Sequence, residues 1–289
     1  MDATFRTGWV LTMTSGVRAF IFSMMIVMGC FSMAHAAVQQ VDFGGLQWLE
    51  VKGKHFIVYI RSESDKALAN IVLSRAESYY QDIGNLIGHT RYSDFWTWDD
   101  RAKIFVFADR EEFSRVTGAP SWATGYSDRD SFLFKSRAVV TYRQEDAFYD
   151  SILPHEVAHL IVHDFIKREY LPIWLDEAVA QMYERRKHDA ADRYCRALAQ
   201  RGQTIRLDFL NRWDIRSETD AKKVELYYLQ SLSVLRFLYR EHGAYAFQRF
   251  FRELRDGKSV EEALRSAYPG KINSLDDLER HWINFLKRL

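Results

Sequence analysis

The chain has 289 residues, 47% of them hydrophobic and 27% charged, with 40 basic and 39 acidic side chains. That composition excludes a disordered or low-complexity chain and fits one large domain or two small ones. A charge balance this close to zero excludes the electrostatic footprint of a nucleic-acid binder or of a protein held on an anionic membrane.

The first predicted element is not part of the fold. Arg6 and Arg18 precede an apolar run from Ala19 to Met33, which Ala34-His35-Ala36 closes. A basic region, an apolar stretch and an A-x-A site together describe a secretory signal peptide over residues 1–36. The run's 15 residues fall short of the roughly 20 that a membrane span needs. An uncleaved anchor is therefore the lesser alternative. A lipid anchor at Cys30 is another, since Val27-Met28-Gly29-Cys30 loosely resembles a bacterial lipoprotein box. The expected mature chain has no membrane span and is periplasmic or secreted. It keeps only Cys195, so it has no internal disulfide and no cysteine-rich zinc site.

Residues 37–289 are expected to form a single domain, with a mixed lobe over about 37–150 and a helical lobe over about 151–289. Val51–Ile60 is rich in β-branched and aromatic residues and reads as one strand. Ser64–Leu86 has apolar residues three and four apart and reads as an amphipathic helix. Lys103–Phe107 is a short strand of the buried type. Asp109 and Glu112 read as a capping box that opens a short helix. Extended pieces follow at Ser131–Phe134 and Ala138–Tyr142, with Ser121–Tyr126 leading towards the next helix. One of these strands is a candidate edge strand for holding an extended peptide. Beyond Glu184 the pattern is helical. It includes Lys222–His242 with Gly243 after it, Tyr245–Leu254, a capping box at Ser259–Glu262, and a last helix opened by Ser274. The fold class expected is α+β, a small mixed-sheet lobe followed by a mostly helical one.

The chemistry is concentrated between Leu153 and Glu184. His155-Glu156-Val157-Ala158-His159 is an H-E-x-x-H. Residues four apart on a helix lie about 40° out of alignment, so both imidazoles project from one face and can share a tetrahedral Zn²⁺. Glu156 lies about 100° round the helix, near the open position, where it can act as general base towards water. A catalytic zinc needs a third protein ligand. His163 continues the i, i+4, i+8 series, but it stands two turns from His155 and cannot easily close the tetrahedron, so it reads as a helix-face residue. Asp176 and Glu177 open a second predicted helix beyond Pro172 and are the other candidates. Gln181 and Glu184 follow one and two turns after Glu177, and either of them, or Asp176, can accept the far N–H of a ligating imidazole. The blander alternative is that the histidines pack a buried helix and Glu156 is merely solvated.

His155-Glu156-x-x-His159 followed by Trp174-Leu175-Asp176-Glu177-Ala178 resembles the gluzincin clan of zinc peptidases. More narrowly, the chain resembles bacterial exported peptidase MA-like proteins over roughly residues 46–289. The narrower resemblance also draws on Trp48, His55-Phe56, the strand at Lys103–Phe107 and the Asp109–Phe113 helix start. The resemblance implies a zincin-like fold and one Zn²⁺ on His155, His159 and Glu177. Asp176 and Ala178 depart from the usual Asn and Gly, which bears on the packing of the second helix and on what surrounds the ligands. The resemblance also implies an oxyanion-stabilising tyrosine. Tyr227 and Tyr228 are adjacent on a later helix and point about 100° apart; in Tyr228-Leu229-Gln230-Ser231 the match to the family falls on Tyr228. The implied activity is hydrolysis of an exported peptide or protein by metal-activated water, with no separate anchor for a free amine, which favours an endopeptidase. The alternative is a catalytically silent zincin-fold interaction protein of the cell envelope.

Overall fold

The computed structural model describes residues 41–43, 45–89, 100–119, 125–128, 137–144, 148–166, 171–184 and 187–289. The expected signal peptide, Cys30, the strand at Ser131–Phe134 and residues 121–124 lie outside these. Residues 38–289 form one compact unit. Among the described residues no helix is long and apolar enough to cross a membrane.

Six strands build one sheet: β1 (Val41–Phe43), β2 (Leu46–Lys52), β3 (Phe56–Ile60), β4 (Ala102–Phe107), β5 (Gly125–Asp128) and β6 (Ala138–Tyr142), in the order β1-β2-β3-β4-β6-β5. The first three are antiparallel, β3-β4 and β4-β6 are parallel, and β5 runs antiparallel to β6. The fold is thus α+β with a mixed sheet. The single strand expected over Val51–Ile60 is in fact the end of β2, a reversal, and β3. Val51 pairs with Val58, and Gly53 N–H donates to the Phe56 carbonyl at 2.8 Å. An alternating apolar pattern does not reveal a tight reversal, and Gly53 within it lets the helix above approach closely. A Cβ there would lie 2.5 Å from Leu73 of the helix above.

Strand side chains alternate between two buried faces. Phe56, Val58 and Ile60 of β3, Ile104 and Val106 of β4, and Val139 of β6 face the main core. Tyr59, Phe105, Phe107, Val140 and Tyr142 face the other side, where Trp48 packs edge-on against Phe105 and Phe107. Parallel strands need cover on both faces. Helix α1 (Lys66–Ile87) belongs to the main core, and Phe113 of α2 (Arg110–Thr117) to the smaller one. Asp109 caps α2 through the Glu112 N–H, as expected, but Glu112 reaches back to the N–H of Ala108 and not to that of Asp109.

The rest is helical: α3 (Leu153–Phe165), α4 (Ile173–Gln181), α5 (His188–Arg201), α6 (Leu207–Leu210), α7 (Ala221–Arg255), α8 (Val260–Ala267) and α9 (Leu275–Arg288). Gly243, with φ 76° and ψ 171°, is non-helical and divides α7 into two helices that meet at a kink, so the break expected there is present. Ser259 and Glu262 make the reciprocal capping box at α8, and Ser274 caps α9. The main core runs from Phe56 in β3 to Leu286 in α9, so the two expected lobes share it.

Candidate metal centre

Helix α3 is positioned by burial on most of its circumference. Leu153, Val157, Ala158, Leu160, Ile161 and Val162 are buried in the main core, and α3 packs beside α1, α4 and β5. Arg137, just before β6, pairs with Asp164 and fixes the far end of the helix to the sheet. Its near end is unusual. A π-helical turn, Phe148–Ile152, runs directly into Leu153, and Pro154, which has no N–H to give to that turn, follows in the first turn of α3. What remains for chemistry is the stripe carrying His155, Glu156, His159 and His163.

Helix α4 starts after Pro172 and buries Trp174 and Leu175. The Trp174 indole donates to Asn211 at 3.0 Å. This sets Asp176 at the end of the first turn of α4 and Glu177 directly after it, both towards the histidines of α3. His155 Nε2 and His159 Nε2 are 3.1 Å apart, and Glu177 Oε2 lies 3.6 Å from the first and 3.8 Å from the second. Donors roughly 2.0–2.1 Å from a tetrahedral cation stand about 3.3–3.4 Å from one another, so the three edges bracket the required value. The two rings are set at 80°, which lets their Nε2 atoms converge without stacking.

The far nitrogen of each imidazole is tied to a carboxylate. His159 Nδ1 donates to Asp176 Oδ1 at 2.8 Å, and His155 Nδ1 donates to Glu184 Oε1 at 3.0 Å. Such partners fix the tautomer that leaves Nε2 free to coordinate. Glu184 arrives by a different route from the one its spacing suggested. Helix α4 ends at Gln181, and a turn, with Glu184 N–H on the Gln181 carbonyl at 2.9 Å, brings Glu184 back. Its other oxygen accepts from Ser151 Oγ and Lys187 Nζ, each at 2.7 Å. Gln181 does not serve a histidine. Its Nε2 donates to the carbonyls of Glu177 and Tyr228, both at 3.2 Å, and so joins α4 to α7.

The electrostatics call for a cation. Burial penalises a charged His159, yet the carboxylates of Asp176, Glu177 and Glu156 outweigh it and push the imidazole up to about 10. Burial also works against an ionised Asp176, but His159 and His163 hold it well below the usual carboxylate range. Glu184, opposed by burial but bonded to His155 and Lys187, falls to about 2. Glu177 goes the other way: burial raises it, with Asp176 and Glu156 adding to the effect. Among the described residues no lysine or arginine pairs with Glu156, Asp176 or Glu177. Two imidazoles and one carboxylate, crowded by anions and without a lysine or arginine of the described residues against them, form a donor set that fits a divalent metal, which would take the place of the His159 proton.

Sequence reasoning missed Ser151 and Lys187. Both carried a signal, Ser151 four residues before His155 and Lys187 three after Glu184. Tyr228 is half-buried on α7, and burial together with Glu177 and Asp176 raises its phenol to about 12. Tyr227 is fully buried, edge-on to Trp213, and its hydroxyl meets no partner among the described residues.

Residues 120–288 match the Peptidase MA superfamily model. The chain belongs to that superfamily. The match takes in β5, β6 and every helix from α3 to α9. Among solved structures, the chain is similar to a functionally unknown conserved protein from Bacillus anthracis str. Ames. That likeness has 10% identity and a TM-score of 0.42, and it covers 83% of this chain and 51% of the other. The chain therefore spans about half the length of that protein. No curated protein sequence matches.

Proposed function

We propose that the protein is a zinc-dependent endopeptidase of the gluzincin type, exported after removal of residues 1–36. The observation that carries this reading is the convergence of His155 Nε2, His159 Nε2 and Glu177 Oε2 to within 3.1–3.8 Å of one another, with Glu156 beside them. A Zn²⁺ held there supplies Lewis-acid polarisation of a carbonyl and acidifies water. Glu156 takes a proton from the attacking water and delivers it to the leaving amine. Asp176 and Glu184 hold the two imidazoles in register. Tyr228 donates its O–H to the oxygen on which charge develops. Strand β5 runs antiparallel to β6 beside α3, and it is the strand along which the substrate backbone aligns.

The test uses the purified protein and its Glu156→Gln variant. Bound zinc is measured by atomic emission, and a denatured protein mixture is digested with each and the fragments identified by mass spectrometry. The expected result is one zinc per chain in both, internal cuts by the wild type, and a rate lower by about 10²–10⁴ in the variant. No zinc in the wild type would end the metal reading. Zinc without Glu156-dependent cleavage would make the chain a silent member of the fold.

A further inference from the structure

His163 reads from the sequence as a helix-face residue, and the structure gives it a definite task. Asp176 stands between His159 and His163. Its Oδ1 is 2.8 Å from His159 Nδ1, and its Oδ2 is 2.7 Å from His163 Nε2. An ionised carboxylate only accepts, so each imidazole turns an N–H towards it. The two rings are 5.8 Å apart with 29° between their planes, and this near-parallel setting lets two N–H groups reach the two oxygens of one carboxylate. His163, Asp176 and His159 are all largely sheltered from solvent, with side-chain exposures of 12%, 16% and 11%, so these bonds are not screened away.

We propose that His163 is a positioning residue for the metal ligand His159 and acts through Asp176. With only Oδ1 engaged, the carboxylate could swing about its soft terminal torsion. With Oδ2 held by His163 it is fixed, and so are the plane and tautomer of His159. This inference rests on the zinc reading given above. The competing use of the same groups is a second cation, because His159, His163 and Asp176 offer donors within 4.8 Å of one another. The distances decide against it. Separations of 2.7 and 2.8 Å are those of hydrogen bonds, whereas two donors on one tetrahedral cation stand roughly 3.3 Å apart. A second cation would also need His159 stripped of both ring protons.

The experiment compares full-length wild type, His163→Ala, His163→Gln, Asp176→Asn and the double variant His163→Ala with Asp176→Asn. Zinc affinity is measured by competition with a chromophoric chelator, ligand geometry by the visible spectrum of the cobalt-substituted protein, and folding by circular dichroism. His163→Ala is expected to weaken zinc about tenfold, the lower end of the effect for an outer partner of a metal ligand, and to shift the cobalt bands. His163→Gln, which places an amide N–H near the lost Nε2, is expected to restore most of both. In the Asp176→Asn background, His163→Ala is expected to add less than a further twofold, because the path it acts through is already broken. Zinc binding within twofold of wild type and an unmoved cobalt spectrum in His163→Ala would overturn the proposal. So would additive losses in the double variant, or two zinc ions per wild-type chain. A wild type that binds no zinc would instead remove the reading on which the proposal stands.

Discussion

Two of the buried charge clusters among the described residues are neutralised in different ways. In the first, Asp192 of α5 receives Ser233 Oγ at 3.0 Å, Arg236 at 3.1 Å and Arg240 at 3.3 Å, all from α7. Ser233 in turn accepts from the Trp282 indole of α9 at 3.1 Å. The chain supplies both signs there, two guanidinium groups on one carboxylate, although Arg236 Nε meets no partner among the described residues. In the second, Glu156, Asp176 and Glu177 surround two imidazoles with no guanidinium or ammonium of the described residues against them. A carboxylate withdrawn from water is costly unless a cation meets it. The Asp192 cluster therefore reads as architecture joining three helices, and the α3–α4 cluster as one whose positive charge is carried by imidazole protons, which a bound metal would replace.

The sharpest way to break that comparison is to remove one carboxylate from each. Asp192→Ala is expected to cost about 3 kcal/mol of folding stability, the low end for breaking a buried pair, because Arg240 is half-exposed and can rehydrate. It should leave zinc stoichiometry unchanged. Glu177→Ala is expected to do the reverse: zinc is lost, while the metal-free protein melts no lower than the metal-free wild type, since a carboxylate that burial disfavours has gone. Chemical denaturation and zinc analysis of the two variants check this. A metal-free Glu177→Ala protein clearly less stable than its parent would count against the distinction.

A second test uses pH. His159 is raised from 6.5 to about 10, so its contribution to metal-free stability is complete below pH 6.5 and disappears as pH climbs towards 10. Glu184 is lowered from 4.5 to about 2, so its contribution is present above pH 4.5 and is lost as pH falls towards 2. Zinc needs the deprotonated imidazole, so its binding strengthens with pH over the range in which the metal-free protein weakens. Thermal melts with and without saturating zinc, from pH 6.5 to 10, should diverge steadily. Parallel curves would mean that the cation does not take the proton's place.

The smallest effects separate the two adjacent tyrosines. Tyr228→Phe is expected to slow hydrolysis by about 10², at the low end for removing one oxyanion donor, with zinc retained. Tyr227→Phe removes a buried hydroxyl without a partner among the described residues, so stability should change by less than about 1 kcal/mol and turnover hardly at all. Steady-state rates on a cleaved peptide and denaturation curves decide. A large loss of turnover from Tyr227→Phe alone would exchange their roles.

What the sequence made legible was whatever depends on local periodicity. The four-residue step of His155 and His159, the strands at Lys103–Phe107 and Ala138–Tyr142, and the caps at Asp109, Ser259 and Ser274 all follow from short-range rules. Naming Glu177 as the candidate third ligand needed a resemblance as well, because spacing alone left Asp176 open. The reversal at Gly53 was hidden, since both strands that it joins share one apolar pattern. The path by which Glu184 reaches His155 was hidden too: it depends on α4 ending at Gln181, which helical periodicity does not foretell. Spacing offered the candidates; that Glu184 and not Gln181 meets His155, and that Asp176 meets His159, is set by how two helices meet, which no single stretch of sequence records.

The π-helical turn at Phe148–Ile152 has a consequence for insertions and deletions. Its hydrogen bonds span one residue more than those of an α-helix. Deleting Ile152, the one residue of the turn between Ser151 and α3, would let the turn close as ordinary α-helix and rotate what precedes it by about 100° relative to α3. His155, Glu156 and His159 would keep their spacing, and the motif would still read as intact. Ser151, however, would lose its phase with Glu184, and with it one of the bonds that orient His155. The centre is therefore specified by a residue count upstream of the motif as well as by the motif's letters.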